Sequence, residues 1–193
     1  MRVIAGTYKG RRLKGPTGQD VRPTGDRLKE SLFNILGPSI AGSVVVDVFG
    51  GTGAIGIEAL SRGAREAVFI ENARSSNKLI RQNLEICGIK KGYRMIEQDA
   101  FTALRSLARE GFKADIVFFD PPYDWEPYDD LLNITFGRNL LSDRARVIIE
   151  HHRNSPVPES GSGYRRSRLV RQGDHYLSFF EPSADELRMT NNE

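Results

Sequence analysis

The 193-residue chain has a single cysteine, Cys87, which excludes an internal disulfide. Cys87 reads as a small buried hydrophobe in LEICGI. No Cys/His spacing suits zinc, and the adjacent His151 and His152 point to opposite sides of an extended run, so no metal is expected. Long apolar runs are also missing. None approaches the ~18 residues of a membrane span. The start, MRVIAGTYKGRRLKG, lacks the apolar core of a secretory signal. Together these absences favour the cytoplasm. No Ser/His/Asp arrangement is evident, so a covalent enzyme intermediate is not expected. No internal repeat is visible. What remains is ordinary for a globular protein: 39% hydrophobic and 27% charged residues. A chain of this length can bury a core without cross-links.

The net charge is only +3, but it is unevenly placed. Residues 1–30 hold eight basic side chains against three acids. Residues 153–171 hold five arginines against Glu159. Basic clusters of this kind suit a polyanion, because each Lys or Arg near a phosphate releases a counterion. They equally suit solvated surface.

From residue 43 onward, short apolar runs alternate with longer amphipathic stretches. The runs are 44–48, 67–70, 93–96, 116–119 and 147–149; the stretches are 54–62, 75–87, 101–109 and 128–136. This reads as βαβ units on a mostly parallel sheet, an α/β fold with helices on both faces. Before it, two short strands are expected around residues 7–10. A helix then carries Leu28, Leu32, Ile35 and Leu36, with Thr24 as its cap and Gly37-Pro38 as its end. After it, residues 153–163 read as a mobile loop. SRLVR and HYLSFFE read as an antiparallel hairpin with a three-residue turn, Gln172-Gly173-Asp174. The last residues lack periodicity and read as a frayed tail.

Two constellations carry chemistry. In VVVDVFGGTGAIGIEAL, Gly51, Gly53 and Gly56 form G-x-G-x-x-G between a strand and a helix. Glu71 closes the next strand, placed to accept hydrogen bonds from ribose hydroxyls. Asp47 sits in the strand end, where it would oppose a pyrophosphate but suit a sulfonium or an ammonium. Asp99 follows the third strand, placed either to reach an adenine edge or to cap a helix.

The second constellation is DPPY at the end of the fourth strand. Asp120 emerges where open α/β sheets bind ligands. Pro121 and Pro122 stiffen the chain and present carbonyls without offering an N–H. Tyr123 adds a flat face for a base. A carboxylate plus a neighbouring carbonyl suits an exocyclic amine: each takes one N–H, turning the lone pair out of the ring plane.

With these residues in view, the chain resembles class I S-adenosylmethionine-dependent methyltransferases that modify exocyclic amines. Among them it is similar to the bacterial 16S ribosomal RNA guanine-(N2)-methyltransferase D family. The resemblance covers residues 1 to about 180. It rests on MRVIAGTYKGRRLKGP, RPTGDRLKESLFNIL, DVFGGTGAIGIEALSRGA, FIEN, DPPY and the terminal hairpin. Gly50, Thr52 and the hairpin segment RQGDHYLSFF depart from the usual pattern.

The resemblance implies a Rossmann-like fold and S-adenosylmethionine as cofactor. It implies that Asp47 lies near the cofactor ammonium, Asn72 against the adenine, Asp99 on its amine and Ala100 behind it with a backbone N–H. It places Arg22, Thr24 and Arg27 at the cofactor carboxylate and the RNA entrance. The basic excess of residues 1–30, interleaved with glycines, suggests that Arg11, Arg12, Lys14 and Arg22 form part of an RNA-binding surface beside the active site. The expected organisation is a basic extension and helix (1–37), a methyltransferase domain (38–182) and a tail (183–193). The expected partner is 16S ribosomal RNA, free or in the small subunit or its assembly intermediate, with a monomeric enzyme and no membrane.

Three rivals stand beside this reading. A DNA adenine amine methyltransferase would usually carry a further recognition domain. A non-catalytic RNA-binding assembly protein would have no need of DPPY. A nicotinamide oxidoreductase is disfavoured by Asp47 and by the hairpin.

Overall fold

Three parallel strands organise the first half of the chain. They are β1 (Val44–Val48), β2 (Glu66–Ile70) and β3 (Tyr93–Ile96). Both β1 and β3 pair with β2, with Val46 level with Val68 and Ile70 level with Ile96. All five residues of β1, Asp47 included, are buried. Burial on both faces is why β1 reads as a continuous apolar run instead of an alternating one. The computed structural model describes residues 1–16, 23–123, 125–137 and 139–183, and divides into two compact units, Met1–Ala100 and Phe101–Glu193.

In the first unit, α1 (Pro23–Leu36) runs into a 3-10 turn, Gly37–Ile40. Thr24, expected as the cap of α1, is instead its second residue; Pro23 opens the helix, where a fixed φ and a missing N–H cost nothing. Helix α2 (Ala54–Ser61) follows β1, and α3 (Arg74–Cys87) follows β2. Ile80, Leu84 and Cys87 form the buried stripe of α3, and Gly88 ends it in the left-handed region (φ 73°).

The N-terminus departs from its sequence reading. Residues 7–10 form a turn; the two arms on either side meet at an Arg2–Arg12 bridge. Val3 N–H donates to Arg11 O (2.9 Å) and Leu13 N–H to Met1 O (3.0 Å). The turn is held by α2, not by a partner strand. Thr7 N–H donates to Ser61 O (2.8 Å), and Tyr8 N–H to Ser61 Oγ (2.9 Å). A Cβ on Gly6 would lie 1.8 Å from Ser61 O, so only glycine permits this approach. Val3 and Leu13 join the core with Ile57, Ile80, Leu84 and Cys87.

The second unit holds α4 (Ala100–Arg109, opening on the last residue of the first unit), β4 (Ala114–Phe119), α5 (Tyr128–Phe136), β5 (Leu141–His152), β6 (Ser160–Gly161), β7 (Tyr164–Gln172) and β8 (His175–Pro182). Strands β4 and β5 are parallel; β5, β8, β7 and β6 continue antiparallel. The hairpin turn is shorter than expected, because Gln172 pairs with His175 and leaves only Gly173 and Asp174 between them. The expected loop at residues 153–163 contains β6, which pairs Ser160 with Arg165. Residues 184–193 of the expected tail lie outside the described residues, and among those described no helix is long and apolar enough to cross a membrane.

Candidate active site

The carboxyl end of β1 leads directly into the glycine loop. Phe49 (φ 61°), Gly51 (φ 53°) and Gly53 (φ 74°) all take left-handed conformations, so the chain reverses sharply before α2 begins at Ala54. Gly53 N–H closes the turn onto Gly50 O at 2.6 Å. Gly56 serves packing instead. A Cβ there would come within 2.3 Å of the Phe69 ring, so the missing side chain lets α2 lie close on β2.

Two carboxylates brace this loop. Glu71, 9% exposed just past β2, accepts from Gly51 N–H through Oε2 (3.0 Å) and from Ala73 N–H through Oε1 (2.8 Å). Each oxygen keeps acceptor capacity for a hydroxyl. Asn77 Nδ2 donates to Glu71 O (3.0 Å) and fixes the strand end. Asp47 accepts from Gly56 N–H through Oδ2 (3.0 Å), so it satisfies an α2 N-terminal donor from the strand. Burial pushes its carboxyl up to about 7; the Gly56 hydrogen bond opposes this, and the nearby Glu71 charge adds to it. A buried acid with this raised affinity for protons is well matched to a cation.

Asn72 and Asp99 are exposed after β2 and β3, and Ala100 is buried as the first residue of α4. Asn83, which sequence reasoning missed, ties the loop to the basic N-terminus. It is fully buried; its Oδ1 accepts from Lys14 N–H (2.7 Å), and its Nδ2 donates to Lys14 O (3.0 Å) and Thr52 O (2.9 Å). Its one sequence signal is a polar residue in the buried stripe 80, 83, 84, 87 of α3. Arg11, Arg12, Lys14 and Arg27 are exposed. Arg22 and the Thr24 side chain lie outside the described residues.

In the second unit, Asp120 leaves β4 one residue beyond the Phe119–Ile149 pair and is exposed. Pro122 O accepts the Trp125 N–H (3.2 Å); among the described residues no backbone N–H takes Pro121 O. Trp125 stacks on Phe101 (centroids 6.1 Å) and meets Tyr128 edge-on (5.1 Å), so it holds the DPPY segment against α4 and α5. Tyr123 is 75% exposed. The arrangement offers a carboxylate, an adjacent carbonyl and an open aromatic face. His151 is taken up structurally: its ring meets His152 O through Nδ1 and Ser178 Oγ through Nε2, both at 2.9 Å.

The arginines near the C-terminus are partly neutralised. Arg153 pairs with Asp174, Arg165 with Glu181 and Arg166 with Glu159. No ion pair among the described residues involves Arg11, Arg12 or Lys14, nor the exposed Arg168 and Arg171.

The fold is that of solved methyltransferases. The Escherichia coli structure of yhhF superimposes with TM-score 0.81 at 29% identity, over 95% of this chain and 98% of that one. SMU.776, solved as a complex with SAH, superimposes with TM-score 0.67 at 18% identity, over 83% of this chain and 50% of that one. The fold is that of a methyltransferase, and its glycine loop is braced by two acids. A family model described as Conserved hypothetical protein 95 matches residues 1–181. The Ribosomal RNA small subunit methyltransferase D of Escherichia coli (strain K12) is 35% identical over 158 residues, 82% of this chain and 78% of the relative. The chain belongs to this family.

Proposed function

We propose that the protein moves a methyl group from S-adenosylmethionine to the exocyclic N2 amine of one guanine in 16S ribosomal RNA. The observation that carries this is the end of β4: Asp120, the Pro121 carbonyl and the exposed Tyr123, with Pro122 O already taken by Trp125. Family membership supports ribosomal RNA as the substrate.

When bound, the cofactor would supply a methyl group activated on a sulfonium, whose carbon–sulfur bond breaks as the new carbon–nitrogen bond forms, with a neutral thioether as the leaving group. Gly51 and Gly53 would border its methionine part, Asp47 its ammonium, Glu71 its ribose, Asn72 its adenine ring, and Asp99 with the Ala100 N–H the adenine edge. The guanine stacks on Tyr123. Its amine donates one N–H to Asp120 and the other to Pro121 O, which turns the nitrogen lone pair out of the ring plane. As the nitrogen attacks, both acceptors stabilise the positive charge that grows on it. The surplus proton then passes to the Asp120 carboxylate and on to water.

Residues 1–37 act as the RNA-facing extension and 38–182 as the catalytic domain of a cytoplasmic monomer. Arg11, Arg12 and Lys14 hold phosphates, Arg22, Thr24 and Arg27 border the entrance, and base choice is made at Asp120. The test offers labelled cofactor with two substrates: small-subunit ribosomal RNA from a strain lacking the gene, and duplex DNA. Label is expected in the RNA alone; label in DNA adenine would overturn the reading.

Three further results are expected. Glu71→Ala should raise the KM for the cofactor by roughly 10- to 150-fold with little change in kcat, because a charge-assisted hydrogen bond to ribose contributes ~1.5–3 kcal/mol in the ground state. Steady-state kinetics at varied cofactor concentration checks it.

A cation beside Asp47 favours its ionised form. S-adenosylmethionine should therefore bind more tightly as pH rises through about 7, and Asp47→Asn should flatten this dependence. Without ligand the sign is opposite. The folded state keeps a proton that the unfolded state releases between 3.8 and about 7, so stability falls as pH rises through that window. Calorimetric titration and thermal melts across the window measure both.

Replacing Arg11, Arg12 and Lys14 together by Ala should make the log–log salt dependence of RNA binding shallower, by ~0.7 for each single-strand phosphate that is no longer neutralised. Cofactor affinity should stay the same.

A further inference from the structure

We propose that His152 is a positioning residue for the target base: its ring, set edge-on against Tyr123, fixes the plane of the exposed face on which the guanine stacks. This rests on the reading of Asp120, Pro121 and Tyr123 as the amine site.

A stacking platform works only if its plane is held before the base arrives. Tyr123 is 75% exposed and follows two prolines, which fix the backbone but leave the ring free to turn. Among the described residues, the ring contact of Tyr123 is with His152, at 5.6 Å between centroids and 66° between planes. That is the edge-to-face geometry aromatic pairs prefer. It leaves the tyrosine ring a face for the base.

His152 is itself firmly placed. It is the last residue of β5 and pairs with His175 of β8. Its carbonyl accepts from His151 Nδ1 at 2.9 Å, and His151, 7% exposed, is anchored by Ser178 Oγ at 2.9 Å. His151 donates through Nδ1 to that carbonyl, and in the neutral ring Nε2 accepts from the Ser178 hydroxyl. Burial lowers the pKa of His151, consistent with that form. Glu150, two residues back on the same face, meets His175 Nδ1 at 3.4 Å and joins β5 to β8 there. Because β4 and β5 are parallel with Phe119 level with Ile149, this braced strand end lies beside the segment that carries Asp120. Bracing thus runs from Ser178 through His151 to His152, and from there to the tyrosine ring.

The test is a double-mutant cycle on RNA methylation, with full-length enzyme and small-subunit ribosomal RNA from a strain lacking the gene. His152→Ala is expected to raise the KM for RNA about three- to tenfold, with kcat changed less than about twofold and S-adenosylhomocysteine affinity unaltered. His152→Phe, which keeps an aromatic edge, is expected to restore the KM. On a Tyr123→Ala background, His152→Ala is expected to add no further loss, since the ring it orients is gone. An equal loss on both backgrounds would overturn the proposal, as would an unchanged KM in His152→Ala. If the alanine variant melts early, the His152→Phe and Tyr123→Ala pair still decides it: a phenylalanine that fails to restore KM while folding normally counts against it. Failure of the amine-site reading looks different, because the wild-type enzyme would then put no label on a guanine N2 amine.

Discussion

Asp120→Ala should lower kcat for RNA methylation by ~10²–10³ while leaving cofactor affinity nearly unchanged. Loss of one preorganised acceptor at a developing charge commonly has an effect of that size. Asp120 also orients the base, so the upper end is expected. The cofactor is assigned to other groups, the glycine loop with Glu71 and Asp47, and these keep their own hydrogen bonds to Gly51, Ala73 and Gly56 when Asp120 is removed. Single-turnover kinetics with labelled cofactor separates the two effects. A variant that keeps more than about a tenth of wild-type turnover would remove Asp120 from the chemistry.

Glu58→Ala should produce the largest loss of stability. Glu58 is fully buried in α2 and gathers four donors. Ile4 N–H reaches Oε2 at 2.8 Å and Ala5 N–H reaches Oε1 at 3.0 Å. Lys29 Nζ lies 3.2 Å from Oε2, and Arg62 Nε 2.8 Å from Oε1. Lys29 is only 4% exposed, and burial already lowers its pKa against the pull of Glu58. Removing the carboxylate would leave a buried ammonium without its counter-charge, held by Arg2 O at 2.6 Å, and two backbone donors without their acceptor. Breaking a buried pair from one side costs about 3–5 kcal/mol. For a chain of this size that is roughly 10 °C in Tm. The N-terminal arm would also lose its anchor, so RNA affinity should fall although Arg11 and Arg12 are intact. Thermal melts and RNA titration check both; a loss under about 1 kcal/mol would mean that the arm is held elsewhere.

The parallel strands are legible in the sequence because burial on both faces turns them into unbroken apolar runs. VVVDV matches β1 residue for residue, the run 116–119 misses only the first two residues of β4, and α5 matches at its full extent. β5 is legible only at 147–149, since its first half exposes charges such as Arg144 while the strand runs from Leu141 to His152. The glycine loop and DPPY are legible because each needs particular residue types at fixed spacing.

What stays hidden depends on contacts distant in sequence. Residues 7–10 have the composition of strands, but the N–H groups of Thr7 and Tyr8 go to Ser61. Glu58 and Asn83 look like ordinary helix residues until the N-terminal arm is placed against them. The charge count near the C-terminus likewise takes no account of the pairing of Arg153 with Asp174 and of Arg165 with Glu181.

The most direct measurement is the identity of the modified nucleoside. Small-subunit ribosomal RNA from a strain lacking the gene is incubated with the enzyme and labelled S-adenosylmethionine, digested to nucleosides and separated by mass. N2-methylguanosine at a single position is expected, formed ~10²–10³-fold more slowly with Asp120→Ala. Label in a methylated adenosine, on a ring nitrogen or on ribose, or no label with an enzyme that binds S-adenosylhomocysteine, would contradict an amine held between Asp120 and Pro121.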